Sequence, residues 1–413
     1  MLSCFPNYEN LDFRKIFLYI CFPEMENSPV TNPAAKLEQE IIRSLKEQTP
    51  FVQLLGVEAS QVAESDGLPF DVKFELRSGD ARVLVYGEIK SGFTPKQLAD
   101  LKPWIQRLEG IKKEAVFAVI APALSIQAQN YCLENEINFL DLAGNISINV
   151  PGKFVLQRTG MRDRNPKNTE QKSYREANIF SGRFSRIVRV LLENPKTWTL
   201  TEIAAELDLQ STSNPILSRS SGGPSESKDF RISLGSISKA LTSLEEQLLI
   251  RRRNSAVLVP EPQRLLNTWA EKYRERYRWR LLQSFRLRKP IAKNLQDLAD
   301  ILQKKNIGPF AVTGPAAASI IAPFIDVGTI DIFLPALSFA RPILETTKAS
   351  TDGPEVRFLE PYDFGVLLYS SVIRDIPVVS NIQAYLDLYA RGGRDQKQAT
   401  YLFENAIAPR WKQ

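Results

Sequence analysis

The sequence predicts an α/β protein built from several domains, and three observations predict it. Between Phe70 and Val150, strand-like and helix-like runs alternate. Between Phe184 and Val259, three helix-like stretches lead into a basic strand, a turn and a return strand. From Leu295 onward a second alternation of helices and strands closes on a pair of helices. A chain of 413 residues with 43% apolar and 24% charged side chains can bury several cores.

Composition also limits the chemistry. The chain has no histidine, which removes imidazole bases, serine–histidine triads and histidine metal sites. Its three cysteines, Cys4, Cys21 and Cys132, have no paired spacing, so no disulfide framework or zinc cluster is expected and a reducing cytoplasm is. Any catalysis must run on carboxylates, lysine and a hard metal ion. No apolar run is long enough to span a membrane. Ile16–Phe22 follows Arg14-Lys15 but is too short for a secretory signal, and no small-residue cleavage site follows it. Residues 1–33 are expected to be a disordered extension or, over residues 1–24, a stretch that is not translated, with Met1 and Met25 as the two candidate starts and Met25 preferred.

The first domain is expected over residues 34–157. Ala34–Gln48 is an amphipathic helix with Leu37, Ile41 and Leu45 on one side. Strands follow at Phe70–Leu76, Arg82–Ile89, Val116–Ile120, Phe139–Asp141 and Ile146–Val150, with helices at Pro95–Leu108 and Ser125–Glu134. Asp141 and Gly144-Asn145 read as a strand end and its turn. Asp71 opens one strand, and Tyr86-Gly87-Glu88-Ile89-Lys90-Ser91-Gly92 closes the next. Alternate residues of a strand share a face, so Glu88 and Lys90 project together while Ile89 turns to the core. Two carboxylates, Asp71 and Glu88, can hold Mg²⁺ through oxygen, and Lys90 can orient a water for attack on a phosphodiester. This stretch resembles the PD-(D/E)xK restriction-endonuclease-like superfamily. The resemblance implies metal ligands at Asp71 and Glu88, a catalytic lysine at Lys90, and a contribution from Glu38 or Glu40. Residues 25–157 carry 13 basic and 17 acidic side chains, so this domain would need its neighbour to hold DNA.

Residues 158–179 form a basic linker with Arg162, Arg164, Lys167, Lys172 and Arg175. In the next part, residues 180–262, Phe184, Ile187, Val188 and Leu191 lie on one helical face, which Asn194-Pro195 ends. Thr199 and Glu202 make a capping box for a second helix carrying Ile203, Ala204 and Leu207. The third helix, Leu234 to Leu249, buries Ile237, Leu241, Leu244 and Leu248. Arg251-Arg252-Arg253-Asn254-Ser255 and Val257-Leu258-Val259 then form a basic hairpin. This order is that of a winged helix-turn-helix, with the third helix reading the major groove. Ser236, Lys239, Thr242 and Ser243 on that helix, and Arg251, Arg252 and Arg253 on the wing, are the expected contacts to double-stranded DNA. Arg251–Lys293 carries 13 Lys or Arg against three acids, a larger positive excess than the +6 of the whole chain. Counterion release from phosphates is the usual use of such a block. Gln210–Arg231, rich in Ser, Gly and Pro, interrupts the module between its second and third helices and reads as a disordered insertion.

The last part, residues 263–413, starts with a long helix, Leu265–Leu287. Leu266, Trp269, Tyr273 and Tyr277 form its core stripe, and Arg274, Arg276, Arg278 and Arg280 lie away from it. Helix Leu295–Lys304 follows, then the run Phe310–Ala318, strands near Thr329–Leu334 and Val356–Phe358, and helices at Ile382–Tyr389 and Gln396–Asn405. The Leu265–Tyr273 segment, Val312-Thr313-Gly314-Pro315-Ala316-Ala317-Ala318, strand Ile330–Leu334, Val378-Val379-Ser380, the Gln383–Leu388 run and Gly393-Arg394 occur in that order. Over about residues 180–411 the chain thus resembles the AbiEi antitoxins of type IV toxin–antitoxin systems. That resemblance implies a DNA-binding autoregulator with a C-terminal antitoxin-like α/β domain, acting against a nucleotidyltransferase toxin from a neighbouring gene. The C-terminal part is not itself expected to be a nucleotidyltransferase, because Thr313-Gly314-Pro315 lacks the serine of a Gly-Ser motif and no Asp-x-Asp pair follows. The alternative is a Mg²⁺-dependent endonuclease targeted by its winged helix.

Overall fold

The computed structural model describes residues 58–63, 70–78, 81–111, 115–152, 154–161, 179–214, 216, 230–282, 284–287, 291–305, 307, 310–324, 328–334, 337–340, 343 and 352–412. The expected N-terminal extension, the helix Ala34–Gln48 with Glu38 and Glu40, and most of the basic linker lie outside them. The chain is mixed α/β and divides into two compact units, Met1–Ser173 and Tyr174–Gln413. Among the described residues no helix is long and apolar enough to cross a membrane.

The first unit is a seven-stranded sheet whose spatial order follows the chain. Its strands are β1 (Glu58–Ala63), β2 (Val72–Ser78), β3 (Ala81–Ile89), β4 (Ala115–Ala121), β5 (Asn138–Asp141), β6 (Ile146–Val150) and β7 (Phe154–Arg158). The three central strands β3, β4 and β5 run parallel, and the flanking pairs are antiparallel. Parallel neighbours need crossovers, which α1 (Pro95–Ile111) and α2 (Ile126–Glu134) supply. Ser125 caps α2 by accepting from the Ala128 amide. Every residue of β4 is buried, as expected of a central parallel strand, and its sequence is accordingly apolar throughout. Tyr86, Phe117 and Phe139 pack with Leu98, Leu101, Ile105 and Cys132 of the two helices, while Val85, Ile89, Ile120 and Ile148 form a cluster on the other face. β1 and β7 extend the sheet beyond the strands read from sequence. β7 takes up Arg158, the first residue assigned to the linker.

The second unit opens with α3 (Gly182–Glu193), α4 (Leu200–Ser213) and α5 (Leu234–Glu246), followed by the hairpin β8 (Arg251–Arg253) and β9 (Ala256–Leu258). The Thr199–Glu202 capping box forms in both directions at the start of α4. Asn254 and Ser255 both have positive φ, at 45° and 69°, which gives the two-residue turn that matches strand twist. Trp198 adds a third, one-residue strand by exchanging hydrogen bonds of 2.9 and 2.7 Å with Val257. α5 ends three residues earlier than its apolar pattern suggested. Leu248 takes φ 57° in the turn and is only half-buried, and Leu249 and Ile250 fill the core in its place.

A second sheet follows α6 (Pro262–Leu282). Its strands are β10 (Phe285–Arg286), β11 (Ala311–Thr313), β12 (Thr329–Phe333), β13 (Glu355–Leu359), β14 (Ser371–Ile373) and β15 (Ile376–Val378), in the order β10-β13-β12-β11-β15-β14. Helices α7 (Leu295–Lys304), α8 (Gly314–Ile321), α9 (Asn381–Arg391) and α10 (Arg394–Leu402) accompany it. One core runs without a break from Ile187, Leu207 and Leu241 through Val257, Trp269 and Tyr273 to Val312, Phe358 and Leu386. The sequence division at residues 262/263 thus falls at the start of a helix inside one core. The Trp269 indole, fully buried, donates to the Phe180 carbonyl at 3.2 Å, and Ile179, the last residue of the supposed linker, is buried in the same core.

The supposed insertion is also partly folded. Residues 210–213 belong to α4. Asn214 donates to the Leu367 and Ser370 carbonyls at 3.2 and 3.4 Å, and Ile216 and Phe230 are buried in the core. Residues 217–229, which hold the Ser/Gly/Pro run, lie outside the described residues.

Candidate functional site

Three places in the structure gather chemically capable side chains. The first is the solvent face of α5 with its hairpin. Ser233 caps α5, accepting from the Ser236 amide, and Ile237, Ala240, Leu241 and Leu244 hold its inner face in the core. Lys239 and Thr242 are exposed on the outside, and Ser236 and Ser243 flank them half-buried. Arg251 and Arg253 alternate with Arg252 along β8 and are exposed. Arg252 behaves differently from the other two. It donates from Nη1 to Thr242 Oγ1 at 3.2 Å and from Nη2 to the Ser238 carbonyl at 3.3 Å. It braces the hairpin against α5, and two of the three hairpin arginines remain directed to solvent. Lys239, Arg251 and Arg253 form no ion pair among the described residues, so a cationic edge of short polar and basic groups stands ready for an anion.

The second place is at the carboxyl ends of the parallel strands in the first unit. β2 pairs β3 with Val72 opposite Gly87, which sets Asp71, just before β2, across from Glu88. Asp71 Oδ2 accepts from the Ile89 amide at 2.7 Å, and the Asp71 amide donates to the Gly87 carbonyl at 3.0 Å. Glu88 is buried, and Lys90 Nζ lies 3.3 Å from Glu88 Oε1 and 5.6 Å from the Phe93 ring centre. Ile89 goes to the opposite face and is buried there. Gly87 is required between these groups. A Cβ there would come 2.3 Å from Ile120 Cδ1 and 2.8 Å from Val72 Cγ1. The fold therefore brings Asp71, Glu88 and Lys90 together. Two carboxylates suit a hard cation in donor type, and among the described residues no group of three acids accompanies them. Asp141, at the end of β5, is fully buried and accepts from the Leu124 and Asn145 amides and from Asn145 Nδ2 at 2.8–3.0 Å. It closes its turn; burial pushes its carboxyl up against those three bonds.

The third place is a buried polar network in the second unit, which the sequence reading did not assemble. Asp387 of α9 accepts from the Tyr273 hydroxyl at 2.6 Å, from Gln383 Nε2 at 2.9 Å and from the Thr313 hydroxyl. Arg189 of α3 donates to Gln383 Oε1 at 2.5 Å and lies over the Trp269 ring. Beside it, Arg357 donates to both oxygens of Asp331, at 2.7 and 3.2 Å, and Arg391 bonds Asp331 and Asp395. Gly314 has φ 60°, and a Cβ on it would stand 3.0 Å from Asp331 Oδ2, so only glycine allows α8 to start against that carboxylate. A charge in the middle of an apolar strand, Asp331 in Thr-Ile-Asp-Ile-Phe and Arg357 in Glu-Val-Arg-Phe-Leu, was the available signal.

Asp387 has only neutral donors, and burial pushes its carboxyl up to about 6 from the ordinary 3.8. A carboxyl with a higher pKa folded than unfolded keeps its proton in the folded chain between the two values. Its contribution to stability is full below that window and is lost as pH rises through it. The second unit should therefore lose roughly 3 kcal/mol at most between about pH 4 and about pH 6 from this group. Denaturant titrations across that range should show a shallower slope in Asp387→Asn than in the wild type; the slope that remains comes from Asp331, whose carboxyl burial pushes up to about 7.

Residues 258–408 match a family model described as "transcriptional regulator, AbiEi antitoxin, type IV TA system". The match begins at the last residue of β9 and covers less than half of the chain. It includes Tyr273, Thr313, Asp331, Arg357, Gln383, Asp387, Arg391 and Asp395, the members of the buried network other than Arg189. A solved structure, that of EndoMS in apo form, is 18% identical over 29% of this chain and 48% of that one, with a TM-score of 0.19. This chain thus spans about half the length of that protein. No curated protein matches.

Proposed function

We propose that this chain, whose residues 258–408 match the AbiEi antitoxins, is a DNA-binding transcription regulator that grips operator DNA through a winged helix. The observation that carries the reading is the shared core. The three helices and basic hairpin in front of the matched segment are built into the same body as that segment, with Trp269 and Tyr273 inside it. α5 would enter the major groove, and Arg251 and Arg253 would take phosphates beside it. The family description further supports an antitoxin role, which we extend to neutralising a nucleotidyltransferase-type toxin from a neighbouring gene. Nuclease footprinting on the DNA upstream of the gene should show protection at micromolar protein or below. Growth arrest by the neighbouring toxin should be relieved by this chain. Uniform binding to every duplex together with unrelieved arrest would reject the reading.

A second reading rests on a different observation, the opposition of Asp71 and Glu88 with Lys90 beside them. In it the first unit is a metal-dependent DNA endonuclease. Asp71 and Glu88 would hold Mg²⁺, which supplies Lewis-acid activation of the phosphodiester and its attacking water. Lys90 would orient that water, and the winged helix would bring the duplex. On this reading purified protein cuts DNA with Mg²⁺ or Mn²⁺ and not with Ca²⁺ alone, and Glu88→Gln or Lys90→Ala abolishes cutting while operator binding survives. No cutting of any duplex, with full repression by Glu88→Gln, leaves the regulator alone.

A further inference from the structure

The last two turns of α6 carry a surface that neither the winged helix nor the buried network uses. Up to Glu275 the helix is internally balanced, with Lys272 bonded to Glu275 and Arg274 to Glu271. From residue 276 to residue 296 the chain has seven Lys or Arg and no acid. Tyr277 and Leu281 anchor the inner face, and Arg276, Arg278, Trp279 and Arg280 are exposed. Trp279 points away from the core, and 67% of its surface is open, the second most exposed large apolar side chain among those described. Arg276 and Arg280 sit three before it and one after it, on adjoining faces of the helix. None of the three arginines forms an ion pair among the described residues, whereas Arg286 beyond the helix is held by Glu355 at 3.4 Å.

A solvated cationic helix face needs no tryptophan, and an indole left this open loses the area it would otherwise bury. Guanidinium groups around an open aromatic ring are suited to a polyanion that also offers flat faces for stacking. In a duplex those faces are already stacked on one another; in a single strand they are available. A docking site for an acidic protein would place apolar neighbours round the tryptophan; here Arg276 lies one turn before it with Arg278 and Arg280 to either side, and the acid one turn before it, Glu275, is paired with Lys272. We propose that the solvent face of α6 around Trp279 is a platform for single-stranded nucleic acid, with the indole stacking on a base and Arg276, Arg278 and Arg280 taking flanking phosphates.

Fluorescence anisotropy of the full chain with an oligothymidine of about 20 nucleotides, and with a duplex of equal length, tests this. Trp279→Ala should weaken single-strand binding about tenfold with an unchanged salt slope, and Trp279→Phe should recover most of the loss. Removing the three arginines should lower the single-strand salt slope by about two. Substituting Lys239, Arg251 and Arg253 by alanine should leave it unchanged. All these positions are exposed, and thermal melts check that the variants fold. The proposal is overturned if the wild type does not bind the oligothymidine, or if Trp279→Ala binds as the wild type does. It is equally overturned if the arginine variant loses duplex affinity alone, or if Trp279→Ala turns a dimer into a monomer in light scattering.

Discussion

Replacing Lys239, Arg251 and Arg253 together by alanine should lower affinity for operator DNA about a hundredfold near physiological salt and reduce its salt slope by about three, one counterion for each lost phosphate contact. All three side chains are exposed, so the fold should be unaffected. Arg252→Ala should behave differently. That side chain spends its guanidinium on Thr242 and Ser238, so its loss frees the hairpin from α5 and weakens binding while the slope stays close to wild type. Electrophoretic or anisotropy titrations over a range of salt separate the two outcomes. An unchanged slope in the triple variant would mean that this hairpin and helix are not the DNA reader.

Arg186→Ala should be the most damaging single change in the second unit. Arg186 leaves α3 with a side chain only 3% exposed and grips Asp363 through Nε at 2.8 Å and Nη2 at 2.6 Å, with its guanidinium over the Phe230 ring. Truncation leaves Asp363 buried without its cation, a loss of about 3–5 kcal/mol. In a unit of this size that lowers Tm by about 10 °C. Arg186→Lys should recover little, since an ammonium cannot make the paired bonds. The Arg186→Ala/Asp363→Ala double variant should be more stable than the single one, because it leaves no orphaned charge. A Tm change within about 2 °C for the single variant would show the pair to be dispensable.

What was legible in the sequence was periodicity. The apolar spacing of Ile187, Val188 and Leu191, the Thr199–Glu202 box and the Arg-Arg-Arg-Asn-Ser hairpin each act within a few residues, and each forms as its local pattern dictates. The opposition of Asp71 to Glu88 was partly legible: alternation gave the shared face of Glu88 and Lys90, and the pairing register supplied Asp71. Contacts distant in sequence were not legible. Nothing near Arg189 announces Gln383, and nothing near Asp331 announces Arg357, because such pairing depends on which helix crosses which strand. Phe230 and Ile216 were lost to view for another reason. Single apolar residues beside a Ser/Gly/Pro run leave no periodic trace, although both are buried. Leu248 was misplaced because a helical repeat does not record where the helix stops.

The position of Arg189 has a consequence for how such chains can be recombined. The family match starts at Leu258, yet the polar network inside that segment is completed by Arg189 from α3, and its core is sealed by Trp269 against Phe180. The stretch that is recognisable by descent is therefore shorter than the stretch that folds. A chimera joined at Leu258 would pair one protein's Gln383 and Trp269 with another protein's first helix, and it would fold only where that helix brings an arginine to the same place. The workable exchange point lies before Ile179, so that helices α3 to α5 and the C-terminal sheet travel as one piece.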